Sequence, residues 1–203
     1  MAKIRLTKTE LKAQRDNLKR FGRYLPTLQL KKQQLQLETN RVRQELAGLE
    51  TEMEKLRTRL REWAGLVTPE LAERAGGLLE VLSWEVGDQN VAGVDTPVFL
   101  QLNFGEVEYD LFEEPILLDD VVETIRTRVE QALHRQLLEE QLTALETELR
   151  ITTQRVNLFE KVKIPEAKDN IRRIQIYLGD QQTSAVCRAK IAKEKNLATT
   201  AAQ

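Results

Sequence analysis

LKRFGRYLPTLQLKKQQLQ, residues 18–36, reads as helix almost throughout, yet Pro26 stands in its middle. A proline inside a helix removes one backbone hydrogen bond and presses its ring on the carbonyl four residues back, at roughly 3 kcal/mol or more. Four back is Gly22, which has no side chain to crowd a bent turn. The stretch therefore reads as a long helix with a tolerated kink.

Working outward, the helical pattern extends in both directions as a heptad repeat. One seam position is Leu11, Leu18, Leu25, Lys32, Thr39, Leu46, Met53 and Leu60; the other, three residues on, is Gln14, Phe21, Leu28, Leu35, Val42, Leu49, Leu56 and Trp63. A mostly apolar repeat sustained this long is the signature of a coiled coil. Thr7 and Glu10 form a capping-box pattern at its start. The helix is expected to end near Gly65, before Thr68 and Pro69. At 1.5 Å per residue this is a rod of about 85–90 Å, whose apolar stripe needs a partner helix.

The middle differs in kind. Thr68, Pro69 and Glu70 look like the start of a short helix that closes at Gly76 and Gly77. Beyond it the period becomes two: Val98, Leu100, Leu102 and Phe104, then Val107, Tyr109 and Leu111. This predicts a β-hairpin turning at Asn103–Gly105, with residues 80–86 as a further strand. Helical periodicity restarts near Asp120 and Glu123, a second capping-box pattern. It slips phase between Val129 and Leu138, meets Pro165, and fades after Ile191.

The fold class is therefore mainly α: a long antiparallel two-helix coiled coil with a small β-hairpin element between the helices. Four segments follow: an N-terminal helix over 7–66, a connecting region over 67–119, a C-terminal helix over 120–195 and a flexible tail over 196–203. Folding back brings both basic ends together. Residues 1–43 hold 12 Lys/Arg against 3 Asp/Glu and residues 150–203 hold 11 against 5, leaving the middle strongly acidic although the net charge is −1.

Charged residues make up 31% of the chain and aromatics 5%, a profile of long helices rather than of an enzyme core. Cys187 is the sole cysteine and so forms no intrachain disulfide. The basic N-terminus precedes no apolar run, so neither a signal peptide nor a membrane span is expected, and the chain reads as cytoplasmic. No phosphate-binding Gly-rich loop and no metal-ligand spacing occurs. His134 reads as a residue in a polar helix, and Cys187 as a passive one. The basic end reads as a solvated surface or as a contact for an acidic partner, and no nucleic-acid motif accompanies it.

KTELKAQRDNLKRFGRYLPTLQLKKQQLQ (8–36) and QRVNLFEKVKIPEAKDNIRRIQIYLGDQQTSAVCRAKIAKEK (154–195) closely resemble the terminal segments of the D subunit of the V-type and archaeal-type rotary ATPases. The resemblance implies a central-stalk rotor shaft, itself non-catalytic and without a cofactor. Its paired termini would insert into the hexamer of A and B subunits. The small F subunit would bind its other portion, on the acidic half near the β element, and the C subunit (called d in eukaryotes) would seat it above the membrane rotor ring. The complex would couple ATP synthesis or hydrolysis to proton or sodium transport, peripheral to the membrane and without insertion of the shaft itself. By the same resemblance Arg15, Lys19, Arg20, Arg23, Tyr24, Arg172, Arg173 and Tyr177 would contact the ring. Leu11, Leu18, Phe21, Leu25, Leu28, Leu35, Ile171 and Leu178 would form the coiled-coil core, and Pro26 and Pro165 the kinks. Gly22 departs from the larger, often charged residue expected in relatives. A prefoldin-like chaperone and a coiled-coil tether are the alternative readings.

Overall fold

The computed structural model describes residues 4–106, 109 and 114–201. The chain is mainly helical, with long helices and a two-stranded antiparallel hairpin between them, which agrees with the expected fold class. In order the elements are α1 (Lys8–Trp63), α2 (Pro69–Gly77), β1 (Val81–Val91), β2 (Val94–Phe104), α3 (Leu118–Asn157) and α4 (Ile164–Ala201). A 3-10 turn, Ala64–Leu66, ends α1, and a π-helical segment, Leu158–Lys163, joins α3 to α4. Two compact units divide the chain: residues 1–30 with 152–203, and residues 31–151.

In the 31–151 unit, α1 and α3 run antiparallel. Lys31 meets Glu148 at 2.8 Å, Arg43 meets Glu146 at 2.6 Å and Glu50 meets Arg135 at 3.9 Å, so contacts advance along α1 as they retreat along α3. Between them Leu35, Val42, Leu138 and Leu145 are buried, with Leu46, Leu49, Leu142 and Leu149 packed around. The heptad positions of α1 from Lys32 to Trp63 are all buried or half-buried. A second cluster closes the other end, where Leu71 and Ala75 of α2 pack on Leu118, Val121 and Val122 of α3, beside Trp63 and Val67. Thr68 caps α2 as its side chain accepts from Leu71 N at 3.3 Å, and Pro69 takes the first helical position, where a missing N–H costs nothing.

The hairpin differs from the expected one. Residues 98–104 belong to its second strand, and the partner is Val81–Val91, in register Val91↔Val94 to Val81↔Phe104. The turn is Ala92–Gly93, with φ of 52° and 81°, the two-residue left-handed geometry that matches strand twist. Gly93 N donates to Asn90 Oδ1 at 3.0 Å. Asn103–Gly105 is not a turn: Gly105 N donates to Glu80 O at 2.8 Å, which continues the ladder. The further strand expected around Val107 and Leu111 lies outside the described residues; Tyr109 is not in a strand.

α3 begins at Leu118, so Asp120 occupies its first turn instead of capping it, favourably placed against the positive end of the helix dipole. The slipped heptad phase of α3 has a physical reason. This helix carries the hairpin as well as α1, so its covered surface is wider than a two-helix seam and adjacent Leu137 and Leu138 are both buried. Phe99 stacks on His134 with ring centroids 5.4 Å apart. Gln141 Nε2 donates to Pro97 O, and Arg126 donates to Gly105 O at 2.9 Å while lying 5.4 Å over the Phe104 ring.

In the unit of residues 1–30 and 152–203, Thr7 caps α1 by accepting from Glu10 N at 3.2 Å. The Glu10 carboxylate accepts from Gln14 at 2.8 Å, so only half of the capping box is made. Thr152, Val156, Ala167, Asn170 and Ile174 are buried, and Phe21 meets Phe159 with ring centroids 5.3 Å apart.

Candidate interaction surfaces

The cations of α1 in this first unit follow from helical spacing. Arg15, Lys19 and Arg23 recur every four residues, a stripe on one side of the helix, and Arg20 with Tyr24 forms the adjacent one. All five are exposed, Tyr24 to 59%. On α4, Arg172, Arg173 and Tyr177 are exposed too, the Tyr177 hydroxyl accepting from Gln181 Nε2 at 3.0 Å. Among the described residues none of these six cations enters an ion pair, although Lys31, Arg43, Arg74 and Arg135 of the other unit each do. The unit of residues 1–30 and 152–203 holds 18 Lys/Arg against 7 Asp/Glu, and most of that charge faces solvent uncommitted. Such a surface attracts an anionic partner and strengthens the encounter at low salt.

The residues expected in the core line the other side of the same helices. Leu11, Leu18, Phe21, Leu25 and Leu28 are half-buried on α1, as are Ile171 and Leu178 on α4, while Leu35 is fully buried in the 31–151 unit. The seam of α4 is tighter than those two positions convey. Ala167, Asn170 and Ile174, at helical spacing, are buried on it, with Ile174 at 0% exposure. A small residue and a buried amide there were not singled out by a search for large apolar positions. A polar seam residue of this type is a known device for fixing register.

Each internal proline has its own local solution. Pro26 lies inside α1, where the Thr27 hydroxyl donates to Tyr24 O at 2.8 Å in the same turn. A Cβ at Gly22 would meet nothing within 4 Å outside the helix's own turns, so no neighbouring element requires glycine there. Pro165 stands one residue beyond the π segment, after Ile164. Ile164 N donates to Phe159 O, five residues back, so the helix is already widened where the ring of Pro165 would crowd Lys161 O.

Of the residues considered for chemistry, His134 is half-buried against Phe99 and helps seat the hairpin, and Cys187 is exposed on α4. No group of His, Cys, Asp and Glu among the described residues could hold a metal ion. No helix among them is long and apolar enough to cross a membrane.

A family model for the ATP synthase D subunit matches residues 10–194. The chain belongs to that family of ATP synthase D subunits. It is 42% identical over 193 residues to the V-type ATP synthase D subunit of Borreliella burgdorferi, covering 95% of each chain. It is 33% identical over 195 residues to the protein of that name from Chlamydia muridarum, covering 96% of each, and 34% identical to that of Chlamydia felis over 96% and 94%. The likeness thus runs through the hairpin region as well as through the terminal helices. As a member of this family the chain is one component of a multi-subunit ATPase.

Proposed function

We propose that this chain is the central rotor shaft of a V- or A-type rotary ATPase. It transmits torque between a hexamer of A and B subunits, where ATP is made or hydrolysed, and the membrane rotor that moves protons or sodium ions. The shaft binds no nucleotide itself, and its further partners are the F and C subunits. It works at the membrane surface, on the cytoplasmic side, as part of that complex. The observation that carries this reading is the family match along residues 10–194, joined to a unit in which Arg15, Lys19, Arg20, Arg23, Arg172 and Arg173 are exposed. A prefoldin-like chaperone or a tether does not account for a family match of that extent.

The physics of the fold suits the task. A shaft must resist bending, because bending dissipates torque, and two helices locked through Leu35, Val42, Leu138 and Leu145 resist it better than one. It must also lack the three-fold symmetry of the ring it drives. Pro26 and the π segment before Pro165 supply off-axis shape, and Arg15, Lys19, Arg20, Arg23, Tyr24, Arg172, Arg173 and Tyr177 supply the contacts.

The test is to tag the chain in its native host, purify it gently and weigh what accompanies it by native mass spectrometry. One copy with a hexamer of P-loop ATPase chains is the expected result. Recovery alone, or in a small hexamer lacking ATPase chains, overturns the proposal.

A further inference from the structure

β1 is an 11-residue strand paired along one side only, with β2; among the described residues its outer side carries no strand. A free strand edge of this length exposes a row of backbone donors and acceptors, and proteins usually blunt it with lysine, proline or a covering loop. Here the first half of the strand carries exposed apolar side chains, and its charges, Glu85 and Asp88, are all of one sign. Leu82 is 63% exposed and Trp84 42%, with Val81 and Val86 exposed beside them. The apolar surface extends inward through Leu100, itself exposed. Its side chain lies over Gly87, where a Cβ would come within 3.0 Å of Leu100 Cδ1. The register shifts at Val81/Ser83 and Glu85/Val86 bend the ribbon, and among the described residues no strand pairs with this edge.

Charge decides what fits. Residues 75–125 contain twelve Asp or Glu and no Lys, Arg or His, and Glu80, Glu85 and Asp88 are exposed along β1 or next to it. Edge-to-edge pairing of two copies would bring two such acidic segments together, so like-charge repulsion opposes it. An extended segment with apolar residues on alternate positions and Lys or Arg between them would satisfy the backbone, the apolar surface and the charge together.

We propose that β1 accepts, as a third strand, a basic extended segment of another chain of the ATPase. The proposal rests on β1 and on membership of a multi-subunit ATPase, and it stands whether or not the chain acts as the shaft. Half of the β1 amides, on alternate residues, already bond to β2; strand addition ties up the other half.

The test compares the full chain alone with the intact purified complex. Residue-resolved hydrogen exchange over 81–90 is expected to slow by at least about tenfold at alternate amides in the complex and to change little between them. A photoreactive benzophenone side chain placed at Leu82 is expected to cross-link to an extended, Lys- or Arg-bearing segment of a different ATPase chain. Uniform exchange along β1 in the complex overturns the proposal, as does a cross-link into a helix or into a second copy of this chain. Glu85→Lys with Asp88→Lys adds an independent readout, since both residues are exposed and enter no ion pair among the described residues. The double variant is expected to keep its melting temperature and to join the complex about tenfold more weakly at low salt. Undiminished joining overturns the proposal even where the complex itself contains every ATPase chain.

Discussion

Phe21 of α1 and Phe159 of the π segment meet with ring centroids 5.3 Å apart and ring planes tilted by 51°. Each is half-buried, so the pair contributes through its tilted ring contact as well as through area. Its position matters more than its size. It sets the helical turn holding Gly22 against the segment where the returning helix is widened, and both backbones depart from regular α bonding close to that level. Phe21→Leu and Phe159→Leu are each expected to lower stability by about 1–2 kcal/mol. In a double-mutant cycle read by urea unfolding, the coupling between them is expected to be about 1 kcal/mol. A coupling near zero would mean that the rings are neighbours without being partners.

Pro26 and Pro165 should respond differently to replacement. Pro26→Ala restores an N–H that can donate to Gly22 O, so the isolated chain is expected to gain about 1–3 kcal/mol, measured as a rise in melting temperature. Pro165→Ala is expected to gain less, because the π segment has already taken the carbonyls away from the proline ring. If off-axis shape is what the prolines provide, the double replacement lowers coupled ATPase activity although the chain itself is more stable. Unchanged coupling would remove the kinks from the mechanism.

The seam of α1 was legible in the sequence because a coiled-coil core depends on spacing alone, and every heptad position from Leu11 to Trp63 is at least partly covered. The hairpin register was not. Alternation is equally good on both sides of Gly105, and the true turn lacks the Asn-Gly or Asp-Gly pair that marks most two-residue loops. Ala92 adopts a positive φ there because Asn90 and the packing of Val91 and Val94 against the long helices hold it, a tertiary effect that no local pattern encodes. The π segment left one trace, Pro165, which marks a disturbed helix without saying how the disturbance is absorbed. The cations were named from the resemblance of the terminal segments to the family, whereas Asn170 and Ala167 went unremarked because a buried amide and a small side chain look like surface in a hydrophobic pattern.

The turn offers a direct check on that account. Gly93 has φ of 81°, a conformation that a Cβ disfavours whatever space surrounds it, and the nearest group to such a Cβ is Lys31 Nζ at 3.8 Å. Gly93→Ala is therefore expected to cost about 1–2 kcal/mol through backbone strain rather than collision. The loss should appear as faster amide exchange confined to β1 and β2, because α1 and α3 keep their own seam. Equal loosening of the helices would show that the hairpin and the 31–151 helices unfold as one cooperative block.

Leu35 and Leu37 stand two residues apart on α1 and give the sharpest test of the seam. Leu35 is 0% exposed, packed with Val42, Leu138 and Leu145, and Leu37 is 70% exposed on the opposite side of the helix. Both truncations to Ala remove the same atoms and slightly improve helix propensity, so any difference between them reports packing. Leu35→Ala loses the transfer energy of a fully buried side chain and leaves a cavity, an expected cost of about 3–5 kcal/mol. Leu37→Ala is expected to lie within about 0.5 kcal/mol of the parent. Ile174→Ala, the fully buried position of α4, should resemble Leu35→Ala, measured by chemical denaturation of the full chain. Were Leu37→Ala to weaken the chain only inside the ATPase complex, its exposed side chain would belong to a contact with another chain and not to the fold.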